Sequence, residues 1–329
     1  MNFNEIAIIG GSGFVGSRLK ARLDKRNIIS KRYDIDTAFN IDSNYLDVED
    51  ISSFGQLKHV DTIINLAAVH RDDIRPVSRY DDINVHGAVN ICEAARKNNI
   101  NKIIFTSSVA IYGFAPADTD ESGEPSYFND YGRTKYLGEQ VYKEWQAEDP
   151  TNRTLVIVRP TVIFGEGNRG NVYNLFKQIA SHRFIMIGDG KNTKSMAYVE
   201  NVVAFLEYSL SFNQGLHIYN YIDKPDFDMN TLVSKARKIL FNKEGVGFRL
   251  PGLFGLIIGY FADIVAKITG KTFPLSSIRI KKFMGTTQFS SSVSETDFIP
   301  PVSLEEGLAR TLHYEFLEDN SDKQTFETE

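Results

Sequence analysis

The stretch IIGGSGFVGSRL, residues 8–19, constrains this chain more than any other. It places Gly10, Gly13 and Gly16 in a GxxGxxG spacing. An apolar run (EIAIIG, 5–10) precedes it and an amphipathic helical pattern (FVGSRLKARLDKR, 14–26) follows. Strand, glycine turn and helix in that order predict a dinucleotide site. Gly10 allows the tight turn, Gly13 lets the backbone approach a pyrophosphate, and Gly16 lets the helix pack close to the sheet. The helix N-terminus then faces the phosphates. An acid about 20 residues further on should bind the adenosine ribose. Asp34 lies 18 residues after Gly16, at the end of a second expected strand (NIISKRYD, 27–34), with Asp36 as its neighbour candidate. A carboxylate there repels a 2′-phosphate, which favours NAD over NADP. Lys31 and Arg32 read as solvated strand-edge charges.

The first 165 residues keep this rhythm. Further strands are expected at 60–68, 101–108 and 153–160, and helices at 79–98 and 131–148. Strands and helices in alternation predict an α/β fold, a Rossmann-type doubly wound parallel sheet. Residues 1–167 are expected to form it, with a helix at 197–212 returning to the sheet. Residues 168–196 and 213–316 are expected to form a smaller substrate-binding part, and the acidic tail 317–329 to fray into solvent. A net charge of −5 argues against a nucleic-acid partner. The six histidines are scattered without ligand spacing and Cys92 is alone, so neither a metal site nor a disulfide is expected. The N-terminus has no basic region ahead of a long apolar run, so no signal peptide is expected.

YGRTK sets Tyr131 and Lys135 one helical turn apart. A phenol needs its pKa lowered from about 10 to act as a base near neutral pH. A lysine on the same helix face and a positive nicotinamide would do that. A second YxxxK, Tyr173 and Lys177, shows how little the spacing says alone. Tyr131 differs because it follows FTSSVAIYG, a strand ending in Ser107 and Ser108 that supplies a hydroxyl where ligands bind in such sheets.

Taken together, the glycine loop, NLAA (65–68), Asn84 in INVHG, SSVAIYG, YxxxK and VRPTVIFG resemble the extended short-chain dehydrogenase/reductases of the sugar-nucleotide epimerase/dehydratase group. The likeness runs from about residue 5 to SLEEGL (303–308). It implies catalysis by Ser108, Tyr131 and Lys135. It implies NAD contacts from Gly10, Gly13, Phe14, Val15, Gly16, Asp34, Asp47, Val48, Leu66, Ala67, Ala68, Asn84, Tyr131, Lys135 and Pro160, with Asp47 on the adenine side. It implies substrate contacts from His70, Ser107, Arg169, Asn171, Lys194 and Arg279. Lys194 stands where the family has a phosphate-binding arginine, and Asn201 where it has an aspartate. A lysine is a point charge rather than a fork, so the diphosphate grip differs.

The residues after Ser108 separate the family's reactions. Its 4,6-dehydratases carry an Asp–Glu pair there and its decarboxylases a glutamate at the second position. Val109 and Ala110 cannot transfer protons. The resemblance therefore implies a 4-epimerase, or simple dehydrogenation.

LPGLFGLIIGYFADIVAKITGK (250–271) fits neither part of that picture. Taken as a helix over 250–268, it has Gly252, Gly255, Gly259, Ala262 and Ala266 on one face and apolar side chains elsewhere. Its thirteen uncharged residues reach about 20 Å, short of a ~30 Å hydrocarbon core. Between Gly245 and Gly285, six basic residues (Arg249, Lys267, Lys271, Arg279, Lys281, Lys282) stand against Asp263 alone. An apolar helix among basic residues suits an anionic membrane surface, a lipid-tailed anionic substrate, or a buried or dimer-forming contact. VHRDDIRPVS, GNVYNLFKQIA, KSMAYVENVV, YNYIDKPD, AKITGK and RTLHYEF resemble the polyprenyl-diphosphate-linked N-acetylglucosamine 4-epimerases of bacterial O-antigen assembly. That likeness implies a lipid-linked sugar diphosphate substrate, undecaprenyl-diphospho-N-acetylglucosamine. It also implies a cytoplasmic chain peripheral on the inner membrane face through 250–282. Family habit adds a homodimer. A soluble UDP-glucose or UDP-N-acetylglucosamine 4-epimerase, an NAD-dependent alcohol dehydrogenase and a non-catalytic NAD-binding regulator are the alternatives.

Overall fold

The computed structural model describes residues 5–36, 42–71, 73–269 and 277–328, apart from the side chains of Ala266 and Arg279. Ile6–Ile9 (β1) leads through the glycine turn into Phe14–Lys25 (α1), then Ser30–Asp34 (β2), Ser43–Tyr45 (β3) and Thr62–Asn65 (β4). Ser78–Asp81 (α2) continues through a π-helical turn at Asp82–His86 into Gly87–Asn98 (α3). Lys102–Thr106 (β5), Asp130–Ala147 (α4), Thr154–Pro160 (β6), Val162–Phe164 (β7) and Asn171–Ala180 (α5) follow. After Met186–Ile187 (β8) and Thr193–Tyr198 (β9) come Val199–Tyr208 (α6), Gly215–Tyr221 (β10), Asp223–Asp228 (β11) and Met229–Phe241 (α7). Arg249–Leu250 (β12), Gly252–Thr269 (α8), Ser277–Met284 (α9) and Leu304–Phe316 (α10) complete the described elements.

Seven strands form a parallel sheet in the order β10-β6-β5-β4-β1-β2-β3. Alternate residues feed two cores, as a pleat of period two requires. Ile8, Ile64, Ile104 and Val156 face α1 and α6, while Ala7, Ile63, Ile103 and Leu155 face α3 and α4. The strand order reverses between β1 and β4, which opens the crevice where ligands bind in such sheets. Gly10 has φ +76°, and a Cβ there would sit 2.6 Å from the Ala67 nitrogen. Only glycine fits where β1 turns past the end of β4.

Helix α6 lies against α1, held by ion pairs from Arg22 to Glu207 and, at 3.2 Å, from Arg18 to Glu200. Residues 215–221 were expected in the substrate part. They form the edge strand β10 of the main sheet instead, paired with β6 over its whole length. The stretch 215–221 contains polar residues and a histidine because an edge strand is covered less completely. The smaller part holds the β11-β9-β7 sheet and the β12-β8 pair. The tail does not fray: Gln324–Thr328 runs back against the loop after β7.

Helix α8 is longer than its uncharged run, because it continues through Asp263 and Lys267. At 1.5 Å per residue it reaches about 27 Å, so length by itself no longer excludes a span. Its placement is more informative. The small-residue face packs inward, Gly255 on Ile187 and Gly259 on Ile280 and Ser277. Asp263 accepts from the Ser277 backbone N–H (3.2 Å) at the start of α9. The other faces are bare: Phe254 is 57% exposed and Phe261 67%. Lys271 lies outside the described residues.

Candidate active site

Ser108 follows the C-terminal end of β5 and begins a 3₁₀ turn, Val109–Tyr112, where its Oγ accepts from the Ala110 N–H (3.1 Å). Tyr131 sits in the first turn of α4, whose N-cap Asn129 accepts from the Gly132 N–H (2.9 Å). The two segments touch: a Cβ on Gly132 would lie 2.5 Å from the Ala110 carbonyl oxygen. This contact brings the Ser108 hydroxyl within hydrogen-bonding reach of the Tyr131 phenol. Burial raises the phenol above its ordinary pKa, and the Ser108 bond pulls it partly back. Lys135 was expected to lower the phenol further. It is buried with its ammonium 4.5 Å over the Phe105 ring, and burial pushes its pKa down to about 7. The protein's own charges therefore leave Tyr131 high.

Among the described residues, the Lys135 ammonium has no hydrogen-bond acceptor, although it is only 3% exposed. Burial disfavours its charged form. Lys135→Met is expected to be inactive yet more stable than the wild-type chain at pH 7, by about 1–3 kcal/mol on the usual price of such a group. The sign follows from the depressed pKa. Below the unfolded value of about 10.4 the unfolded chain takes a proton that the folded chain resists, so stability falls as pH drops toward 7. Urea melts at pH 7 and pH 9.5 check both parts, since the variant should lose the slope.

The crevice between β1 and β4 fits a dinucleotide. No side chain caps α1, so its first-turn N–H groups face outward, and Gly13 is open apart from the Gly10 oxygen 3.4 Å from where its Cβ would be. Phe14, Val15 and Gly16 form that first turn. Asp34 accepts from the Ser12 N–H (2.9 Å), which places its carboxylate beside the glycine loop. Lys31 is solvated as expected and pairs with Glu5 at 2.7 Å, whereas Arg32 is not: its side chain is 12% exposed, packs against Gly11 and pairs with Asp42 at 3.8 Å. Leu66, Ala67 and Ala68 continue from β4 past the loop, with the Leu66 N–H donating to Ile9 (2.8 Å). Asp47 accepts from Glu49 (2.9 Å), Val48 packs on Gly87, and Pro160 ends β6 opposite Tyr221. The free Lys135 ammonium completes the wall with a donor suited to ribose hydroxyls.

Several expected contacts are already spent elsewhere. Asn84, in the π-helical turn, accepts from the Val69 N–H and donates to the Val69 carbonyl and the Thr134 hydroxyl, each at 2.9 Å. Three of the four hydrogen-bonding positions of its amide are taken, so it braces α4 against the loop after β4. Ser107 is 1% exposed and donates to Glu139 (2.6 Å), away from any substrate. Arg169 is paired with Glu315 and stacked over Tyr173 at 4.2 Å. Tyr173 in turn stacks on Phe316, so the second YxxxK is structural. Lys194 donates to the carbonyls of Lys282 (3.0 Å) and Gly285 at the end of α9. Burial brings its pKa to about 8, and it caps a helix rather than gripping a diphosphate. Asn171 is the first residue of α5. His70 reaches the backbone of Ala68 and Thr328. The side chain of Arg279 lies outside the described part.

The sequence reading missed the network beneath the site. Glu139, fully buried, takes two bonds from Arg159 (2.8 and 2.6 Å) besides the one from Ser107. Arg159 also donates to the Tyr112 hydroxyl (2.6 Å), and Tyr112 donates to Asn220 (2.9 Å). The network ties the ends of β5, β6 and β10 to α4, one turn below Lys135. Two signals were present: an arginine inside the apolar run TLVIVRP, and a glutamate four residues after Lys135 on the same helix face.

Residues 6–221 match the NAD dependent epimerase/dehydratase family. Over 333 residues, covering all of both chains, the protein is 46% identical to N-acetyl-alpha-D-glucosaminyl-diphospho-ditrans,octacis-undecaprenol 4-epimerase of Escherichia coli O157:H7. It is 25% identical over 341 residues to UDP-glucose 4-epimerase of Vibrio cholerae, covering 96% of each. The solved UDP-glucose 4-epimerase of Thermotoga maritima superposes with a TM-score of 0.73 at 20% identity, covering 94% of this chain and 98% of that one. The superposition establishes a shared fold.

Proposed function

The chain belongs to the NAD dependent epimerase/dehydratase family, and we propose from that premise that it inverts C4 of N-acetylglucosamine carried on undecaprenyl diphosphate. The product is the N-acetylgalactosamine form. When bound, NAD supplies the hydride acceptor at C4 and then the donor. Tyr131 takes the proton from the 4-hydroxyl and returns it after the keto sugar has turned over. Ser108 donates to the same oxygen, and Lys135 holds the nicotinamide ribose. Val109 and Ala110 offer no acid or base for eliminating water, which keeps the chemistry at one carbon.

The full-length likeness to the undecaprenol-linked epimerase carries the choice of substrate, against a much weaker likeness to the UDP-linked enzyme. The helical hairpin α8–α9 supports it. Its outer face carries Leu253, Phe254, Ile257, Phe261, Ile264 and Ile268, all more than half exposed, beside Lys281 and Lys282 at the end of α9. This face is proposed to lie in the plane of an anionic membrane, placing the chain on the cytoplasmic surface. Phe114 and Phe128, tilted against each other with ring centres 4.9 Å apart and exposed, lie between the catalytic segments and Lys282, whose ammonium is 4.7 Å over the Phe128 ring. They offer the polyprenyl chain a path from sugar to hairpin. The competing occupant of the face is a second copy of the chain. The proposed homodimer, read by light scattering, should persist when Phe254 and Phe261 are made polar.

The paired substrate assay tests the reading. Purified protein is expected to convert undecaprenyl-diphospho-N-acetylglucosamine without added NAD and without net NADH, and to act far more slowly on UDP-N-acetylglucosamine. Turnover of the UDP sugar alone would sink the lipid-linked reading. Stoichiometric NADH release would make the chain a dehydrogenase.

A further inference from the structure

The tail offers an observation that the proposed reaction does not use. Beyond α10 the chain doubles back, and Gln324–Thr328 runs beside the loop 165–170 that follows β7. The Phe326 N–H donates to the Gly167 carbonyl and the Arg169 N–H donates to the Phe326 carbonyl, both at 2.8 Å. The Phe326 ring lies 5.6 Å from that of Phe14, in the first turn after the glycine loop. The Thr328 hydroxyl donates to the Asn168 side-chain oxygen (2.6 Å), and the His70 ring is hydrogen-bonded to the Thr328 backbone. Five residues thus join the segments that follow β1, β4 and β7. Since β1 and β4 flank the reversal of strand order, the tail crosses the crevice in which a dinucleotide lies.

The attachment is made by backbone bonds, one ring and one hydroxyl. An acidic tail would be a poor neighbour for a pyrophosphate if charge held it there. Glu327 is exposed, and the Arg71 guanidinium that feels its charge is itself paired with Asp73 at 2.7 Å. The attachment therefore needs no charge from the tail.

We propose that Gln324–Thr328 is part of the dinucleotide site, a strap that keeps NAD in place through both hydride transfers. The proposal rests on the family assignment and not on which sugar carrier is used. The chemistry gives the strap its purpose. The hydride that leaves C4 must return to the same sugar, so a cofactor lost between the two transfers strands a keto sugar and leaves as NADH.

Two kinds of variant pull in opposite directions. Phe326→Ala, and separately a chain ending at Lys323, are loaded with NAD and gel-filtered. Release of bound cofactor is expected to quicken at least tenfold, and NADH to appear in the medium during turnover. Asn168→Cys with Thr328→Cys should close a disulfide across the same contact. Its oxidised form is expected to release and take up NAD more slowly than its reduced form, which keeps the test informative if the loosened variants fold poorly. Unchanged release in both kinds of variant overturns the strap. So does faster loading with undiminished retention in the loosened chains, which would make the tail a plug. A wild-type chain that binds no NAD overturns the family reading as well.

Discussion

Tyr131→Phe is expected to lower kcat by about a thousandfold, within the range that a positioned acid–base group supplies, while NAD stays bound. The substitution removes one oxygen and keeps the ring that fills the mouth of α4. Proton transfer at the sugar 4-hydroxyl then has no acceptor, because Ser108 is a hydroxyl already accepting from Ala110 and Val109 and Ala110 carry no titratable group. The pH dependence provides a second readout. Burial holds the phenol above its ordinary pKa, so the phenolate fraction, and with it the rate, should rise with pH in the wild-type chain and not in the variant. Steady-state kinetics across pH 6–10, together with NAD content by absorbance, check both. A variant within tenfold of wild type would remove Tyr131 from the proton path.

Phe254→Ser with Phe261→Ser is expected to cut binding to anionic vesicles by roughly 30-fold or more. A buried phenylalanine gains about 1.5–3 kcal/mol over an exposed one. These two are already partly covered, so about 2 kcal/mol for the pair is a fair discount. Turnover of the lipid-linked substrate in vesicles should fall in parallel. Activity on a short-chain, detergent-free analogue should be unchanged, because neither residue belongs to the catalytic segments. Flotation shows the first effect and the paired kinetics the second. Equal flotation of variant and wild type would mean that the face meets something other than lipid.

Much of the sheet was legible because strands and helices declare themselves by spacing. The runs at 5–10, 60–68 and 153–160 became β1, β4 and β6, and YGRTK did fall on one helix beside Ser108. What the sequence hid was the partner of each polar side chain. Ser107 and Ser108 are neighbours in one motif, yet one faces Glu139 in the interior and the other the Tyr131 phenol. Arg169 and Lys194 carry charges suited to a diphosphate, but Glu315 and the carbonyl end of α9 claim them first. Asn84, expected at the cofactor, gives three of its four amide hydrogen-bonding positions to the protein.

The sequence by itself determined the glycine turn, the parallel sheet and the Ser–Tyr–Lys set. These depend on φ/ψ limits at Gly10 and on the 3.6-residue helical repeat, which act over a few residues. Only the tertiary structure decided that the tail lies across the crevice and that α8 buries its glycines while exposing its phenylalanines. Those outcomes depend on segments far apart in the chain, Phe326 on Phe14 and Thr328 on Asn168 among them. A pattern along the chain does not reveal which distant surface will satisfy a hydroxyl or cover a ring.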